Sequence, residues 1–182
     1  SRGSPNAVRN WEMDQGGHCV RGKGKEGAGT KFAHFVGLHN NPNRSAKARL
    51  DNERNMRWMM EDAVARGKQP VFVCMDANTT TKESGTLQRV LAKGWYDVGA
   101  MYPGEDGKAE GTYKKKGDKA DPEWDKISQK GTTRPDRMLV NEVAKAACID
   151  FRLRRDLGVP GHLGLQLTLE MPKLETVSYT HL

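Results

Sequence analysis

Apolar positions along the chain fall into separate short runs, and their spacing predicts strands mixed with helices. The first thirty or so residues are Gly-rich and weakly patterned, with "GKGKEGAG" reading as a flexible connection. "KFAHFVGLH" then predicts a buried strand in which Phe32, Phe35, Val36 and Leu38 supply the apolar side chains and His39 stands at the exit. "NNPNRS" is turn chemistry. From Ser45 to about Arg66, the residues Leu50, Met56, Met59, Met60, Ala63 and Val64 fall largely on one helical face, and Gly67 supplies the stop. Methionine at this spacing reads as core filling. "QPVFVCM" predicts the next strand, and Leu87, Val90 and Leu91 mark a short helix ending at Gly94. Between Met101 and about Arg134 lies a long, charged loop with "GTYKKKG" as its candidate strand. Loops of that length are usually functional or disordered. "PDRMLV", then "CIDFRL" with Ile149, Phe151 and Leu153 on one side, and finally "LGLQLTLE" predict three more strands. There is no strict βαβ rhythm and no internal repeat.

With 182 residues the chain suits one domain with a single sizeable core. Its organisation reads as a poorly patterned segment over 1–30, a folded domain over 31–172 and a tail over 173–182. The closing "TVSYTHL" breaks the strand pattern and resembles a translated sequencing adaptor, so the tail is read as non-native. No apolar stretch is long enough to cross a bilayer, and the opening lacks the basic-then-apolar pattern of a signal peptide. The expectation is therefore an intracellular protein, nuclear or cytoplasmic, with no membrane role and no protein partner indicated. Cys19, Cys74 and Cys148 are odd in number and far apart, so they support neither a disulfide framework nor a zinc site. A net charge of +7 suits a polyanionic partner such as nucleic acid, although the basic run Lys114 to Lys116 reads as a solvated surface.

The strand exits carry the candidate chemistry. "PVFVCM" runs straight into Asp76 and Asn78. Taken singly, each polar residue has an ordinary explanation: Asp-x-Asn is a good turn starter, and His39 could be a satisfied histidine at a core edge. Asp136 beside Arg137 could be a local ion pair worth little, and His162 could be a turn residue. Together, four apolar segments each deliver a group of a type used in phosphate-ester chemistry at or near one end.

In order and spacing these segments resemble the endonuclease/exonuclease/phosphatase superfamily, in its deoxyribonuclease and retrotransposon-endonuclease branches, over roughly residues 31 to 171. "GLHNNP" is similar to the strand-end His segment of the deoxyribonuclease branch. "VFVCMDAN" is similar to the strand followed by Gly-Asp-Phe-Asn, with Met75 and Ala77 replacing the Gly and the Phe. "GTYKKKG" matches the Thr-aromatic strand, "RPDRMLV" the Arg-Ile-Asp-Arg-Ile strand and "PGHLGLQLTLE" the Ser-Asp-His-Pro-Val segment.

The resemblance implies a four-layer α/β sandwich, two packed mixed β-sheets flanked by helices, here N-terminally incomplete. It implies a metal-dependent phosphodiester or phosphate-ester hydrolase, an endonuclease acting on nucleic acid, with Mg2+ or Mn2+ as cofactor. Asp76 would position or deprotonate the water, and Asn78 would donate to a phosphate oxygen. Asp136 would fix the tautomer of His162, whose other nitrogen faces the phosphate. His39 would be a second phosphate contact or proton donor. Two departures bear on activity. The family's metal-binding Glu lies on an early strand for which there is little room before His39, and Glu12 in "NWEMD" reads as a surface residue. Gly161 stands where the family has an Asp ligand before its final His. These gaps favour the alternative, a catalytically dead basic nucleic-acid-binding module derived from the same fold, for the chain as it stands. Retention of His39, Asp76, Asn78, Asp136 and His162 favours the hydrolase. An unrelated α/β domain is the third possibility.

Overall fold

The computed structural model describes residues 11–13, 19–23, 32–105, 107–113, 133–154 and 162–170. In chain order its elements are β1 (Trp11–Met13), β2 (Cys19–Lys23), β3 (Phe32–His39), α1 (Ala46–Ala65), β4 (Val71–Asp76), α2 (Gly85–Ala92), β5 (Trp95–Asp97), α3 (Val98–Met101), β6 (Asp136–Asn141), α4 (Glu142–Lys145), β7 (Cys148–Arg154) and β8 (Gly164–Leu169). A six-stranded sheet runs in the order β1-β2-β3-β4-β6-β5, and β7 pairs with β8 in a separate two-stranded sheet. The β3–β4 pair is parallel and the other pairs of the large sheet are antiparallel. A mixed sheet, a second sheet and flanking helices are as expected from the sequence; among the described residues the second sheet is an antiparallel pair rather than a mixed one.

Side-chain alternation along the central strands builds two cores, one on each face of the large sheet. Val71, Val73 and Met75 of β4 pack with Val36, Leu139, Met56, Met60 and Leu87 under α1 and α2. Phe72 of the same strand points the other way, with Val140, and the small sheet covers it through Phe151, Leu167 and Leu169. Phe35 and Phe72 stack at 4.8 Å between ring centroids across the parallel pair. The described layers are thus helices, large sheet and small sheet.

Helix α1 starts where Ser45 caps it, its hydroxyl accepting from the Ala48 N–H at 3.2 Å. It stops at Gly67, whose φ of 65° a side chain would resist. Met56, Met59, Met60 and Ala63 are buried as expected, but Leu50 and Val64 are not: they are 72% and 55% exposed. At about 100° per residue, the buried stripe runs through Ala48, Asn52 and Met56, which turns Leu50 to the opposite side. In β7 the expected Ile149–Phe151–Leu153 face is also broken. A register shift between Cys148 and Asp150 puts Cys148 and Phe151 on the core and leaves Ile149 exposed.

Two strands lie in the opening segment, where no periodicity predicts them. β1 and β2 extend the sheet beyond β3, and Glu12 stands within β1, opposite Arg21 in register. β5, α3 and α4 are likewise additions, each only three or four residues long. Residues 24–31 of the Gly-rich connection, Lys114 to Lys116, Gly161 and the tail from 171 onward lie outside the described residues. Among the described residues no helix is long and apolar enough to cross a membrane. Cys74 and Cys148 are free thiols, and burial pushes both up to about 11.

Candidate active site

Register alone aligns three of the candidate residues. His39 ends β3 opposite Asp76, which ends β4, and Asp76 lies opposite Asp136, the first residue of β6. All three share the parity of Phe35, Phe72 and Val140, so they stand in a row at one end of the sheet, on the face turned to β7 and β8. His39 is mostly exposed, with Nε2 3.6 Å from Asp76 Oδ2.

The fourth residue arrives by a different route. Tyr113 bridges both Thr133 and His162, and the Leu163 N–H donates to the Thr112 carbonyl at 2.8 Å. This lays the segment before β8 beside the start of β6. His162 Nδ1 lies 2.9 Å from Asp136 Oδ2 and 3.1 Å from Oδ1, so Nδ1–H donates to that carboxylate and Nε2 is left to face outward chemistry. Thr112, fully buried, holds Asp136 from its other side: its hydroxyl donates to Oδ2 at 2.8 Å and accepts from the Asp136 N–H at 3.2 Å. The Tyr113 ring sits 4.8 Å from the imidazole, tilted by 54°.

Asn78 completes the group through a strained turn. Its φ of 47° is unusual for a side-chain-bearing residue, though Asn tolerates it better than most. The turn is tied in place: the Asn78 N–H donates to Asp76 Oδ1 at 3.1 Å and Nδ2 donates to the Asn40 carbonyl at 2.8 Å. Asn40 in turn sends its N–H to the Asp76 carbonyl at 3.0 Å and its Nδ2 to the Ala77 carbonyl at 3.1 Å. All five residues singled out in the sequence therefore meet at one rim.

Two further residues support it, and a third lies behind it. Asn40 and Thr112 lack a periodic signal, although Thr112 falls in the "GTYKKKG" stretch already matched to a Thr-aromatic strand. The third is Asp97, and it overturns the local Asp136–Arg137 ion pair. Arg137 is one residue out of phase with Asp136, so it points to the opposite face and donates to Asp97 Oδ2 at 2.8 Å. Arg134 donates to the same carboxylate through Nη1 at 2.7 Å and through Nη2. The two arginines flanking Asp136 in sequence are thus pinned behind it. The Pro135 carbonyl between them accepts the Ala77 N–H at 2.8 Å.

Burial, and then the neighbouring Asp136 carboxylate, hold the Asp76 carboxyl above its usual value; the Asn78 N–H, His162 and His39 oppose the shift. Asp76, Asp136 and His162 each bring a potential ligand atom within 4.8 Å of the others. The Asp136 carboxylate beside Asp76 raises the proton affinity of Asp76, and such a pair suits a hard divalent cation, whose charge relieves the repulsion and which accepts one or two protein carboxylates plus water.

The backbone is similar to several solved structures. An AP endonuclease from Archaeoglobus fulgidus matches with a TM-score of 0.59 at 11% identity, over 86% of this chain and 66% of that one. The endonuclease domain of TRAS1, a telomere-specific non-LTR retrotransposon, matches with a TM-score of 0.53 at 13% identity, over 85% and 64%. TDP2 of D. rerio, complexed with a single strand DNA product, matches with a TM-score of 0.53 at 14% identity, over 87% and 64%. The chain has the endonuclease/exonuclease/phosphatase fold. An α/β domain of a different fold is therefore excluded. The chain spans slightly less than two thirds of the length of these structures, and the three identities show shared fold alone. No protein-family model matches the sequence, and no curated protein matches it. In the endonuclease/exonuclease/phosphatase fold as this chain builds it, the rim lies where β3 and β4 end and β6 begins.

Proposed function

We propose that this domain hydrolyses phosphodiester bonds of nucleic acid, cutting within the strand, with Mg2+ or Mn2+ bound at the rim. The observation that carries the reading is the Asp136–His162 hydrogen bond lying beside Asp76, Asn78 and His39. Phosphodiester hydrolysis is mostly positioning and charge neutralisation, and such a rim supplies both.

Asp76, its proton affinity raised by burial and by Asp136, takes a proton from the attacking water or holds that water in line. Asn78 keeps one amide N–H beyond its bond to Asn40, and this donates to a phosphate oxygen as charge develops. Asp136, steadied by Thr112, fixes the His162 tautomer so that Nε2 meets the phosphate. His39, the most exposed of the five, contacts the phosphate or protonates the leaving oxygen. Asp76 and Asp136 are the carboxylates that would hold the cation, which would neutralise phosphate charge as a Lewis acid, with Asp76 then holding the water in line rather than taking its proton. Nucleic acid is favoured as substrate by the net charge of +7 and by the AP endonuclease, TRAS1 endonuclease and DNA-bound TDP2 among the similar structures.

The test is a nicking assay on supercoiled DNA with Mg2+ or Mn2+, comparing the chain with Asp76→Ala. Conversion to open circles by the parent and its loss in the variant is the expected result. Equal cleavage by both sinks the assignment, and salt-dependent binding without cleavage points to the catalytically dead binding module instead.

A further inference from the structure

The corner where β5 meets α3 holds a charge imbalance. Asp97, Arg134 and Arg137 have side chains only 6%, 13% and 7% exposed. Among the described residues Asp97 is the only carboxylate bonded to either arginine, and Arg137 Nε is buried without a hydrogen-bond partner. Two guanidiniums against one carboxylate leave one positive charge in a place that water reaches poorly. A buried charge is costly until something of opposite sign completes it. The cluster opens onto a cavity of about 560 Å3, whose walls include Thr81, Leu91, Ala100 and Met101.

We propose that this cavity is an anion-binding site for a phosphate group, held by Arg134 and Arg137 and completed by the apolar wall of Leu91 and Met101. Guanidinium forks match tetrahedral oxyanions in geometry and stay charged at any physiological pH. Strand parity sets the site apart from the rim: Asp97 pairs with Leu139 in register and shares the Arg137 face of β6, whereas Asp136 points to the other. The site is thus distinct from the reacting groups, and it serves as a phosphate anchor on the reverse of the sheet. A free phosphate ion and the ester of a larger molecule present the same head group; only the ester also uses the apolar wall.

Thermal unfolding of the full chain tests this, with inorganic phosphate or phenylphosphonate added against sodium chloride of equal ionic strength. At tenfold excess over Kd the midpoint is expected to rise by about 3–6 °C. An equal rise with both probes assigns the site to free phosphate, and a rise at lower concentration with phenylphosphonate assigns it to an ester. Two variants localise the response. Ala100→Glu, at an exposed position of the cavity wall, supplies a resident carboxylate and is expected to abolish the rise without lowering the starting midpoint. Arg134→Gln removes the surplus charge and is expected to abolish it too. Asp76→Ala is expected to keep it. The proposal is overturned by no rise in the parent, by a rise that survives Ala100→Glu, or by a rise lost in Asp76→Ala, which would move phosphate binding to the rim.

Discussion

Asp76 and Asp97 are acids of the same sheet, one on each strand that flanks β6, and their surroundings are opposite. Asp97 receives three N–H donors from two arginines and is buried among them. Asp76 receives one backbone N–H, has an exposed histidine 3.6 Å away and faces a second carboxylate across the ladder. The fold can satisfy an acid at this depth, since it does so one strand beyond β6. That it leaves Asp76 in an unfavourable field is what the proposed hydrolysis at the rim would call for.

Asp76→Asn breaks this contrast most sharply. Hydrolysis is expected to fall by about 10²–10⁴-fold, the range for loss of a general base, while denaturant unfolding at neutral pH shows no loss of stability. The sign follows from linkage. The folded carboxyl binds its proton more tightly than the unfolded one, so the stability carried by the protonated form is full at acid pH. It drains away as pH rises through the raised folded value. The amide cannot ionise, so this part of the pH dependence of stability is expected to disappear.

Asp97→Ala is the converse, with two buried guanidiniums left unpaired. A loss of about 3–5 kcal/mol is expected from urea titration, and a neutral result would mean that the arginines are not truly enclosed. Gly99→Ala sharpens the same side. A Cβ there would overlap the Arg134 guanidinium, 2.9 Å from its Cζ, and would lever it off Asp97. The expected cost is about 1–3 kcal/mol. The smallest effect is expected at the rim's support: Thr112→Val keeps the shape but removes the hydroxyl from Asp136. About 1 kcal/mol of stability is expected to go with it, read by urea titration.

The sequence shows long elements and hides short ones. Strands β3, β4, β6, β7 and β8 and helices α1 and α2 each span enough residues for a period to emerge. β5, α3 and α4, three or four residues each, cover too few repeats for a pattern to emerge, and β1 and β2 lie among glycines whose composition reads as connection. The five rim residues were legible because each sits at or near a strand boundary, in a familiar order. Asn40, Thr112 and Asp97 were not, because what matters in each is a bond to a residue far along the chain. Asp97 reads locally as a cap for α3, which it also is, through the Gly99 N–H at 3.2 Å. Leu50 and Ile149 were misplaced for a related reason: a helix phase and a one-residue bulge are set by the partner surface, not by hydrophobicity.

The bridge from Tyr113 to Thr133 has a practical corollary. The chain departs at Tyr113 and returns at Thr133, neighbours beside His162, so an insert between them is anchored next to the rim, and neither anchor belongs to the two described cores. Those two anchors are a natural address for grafting loops beside the proposed site.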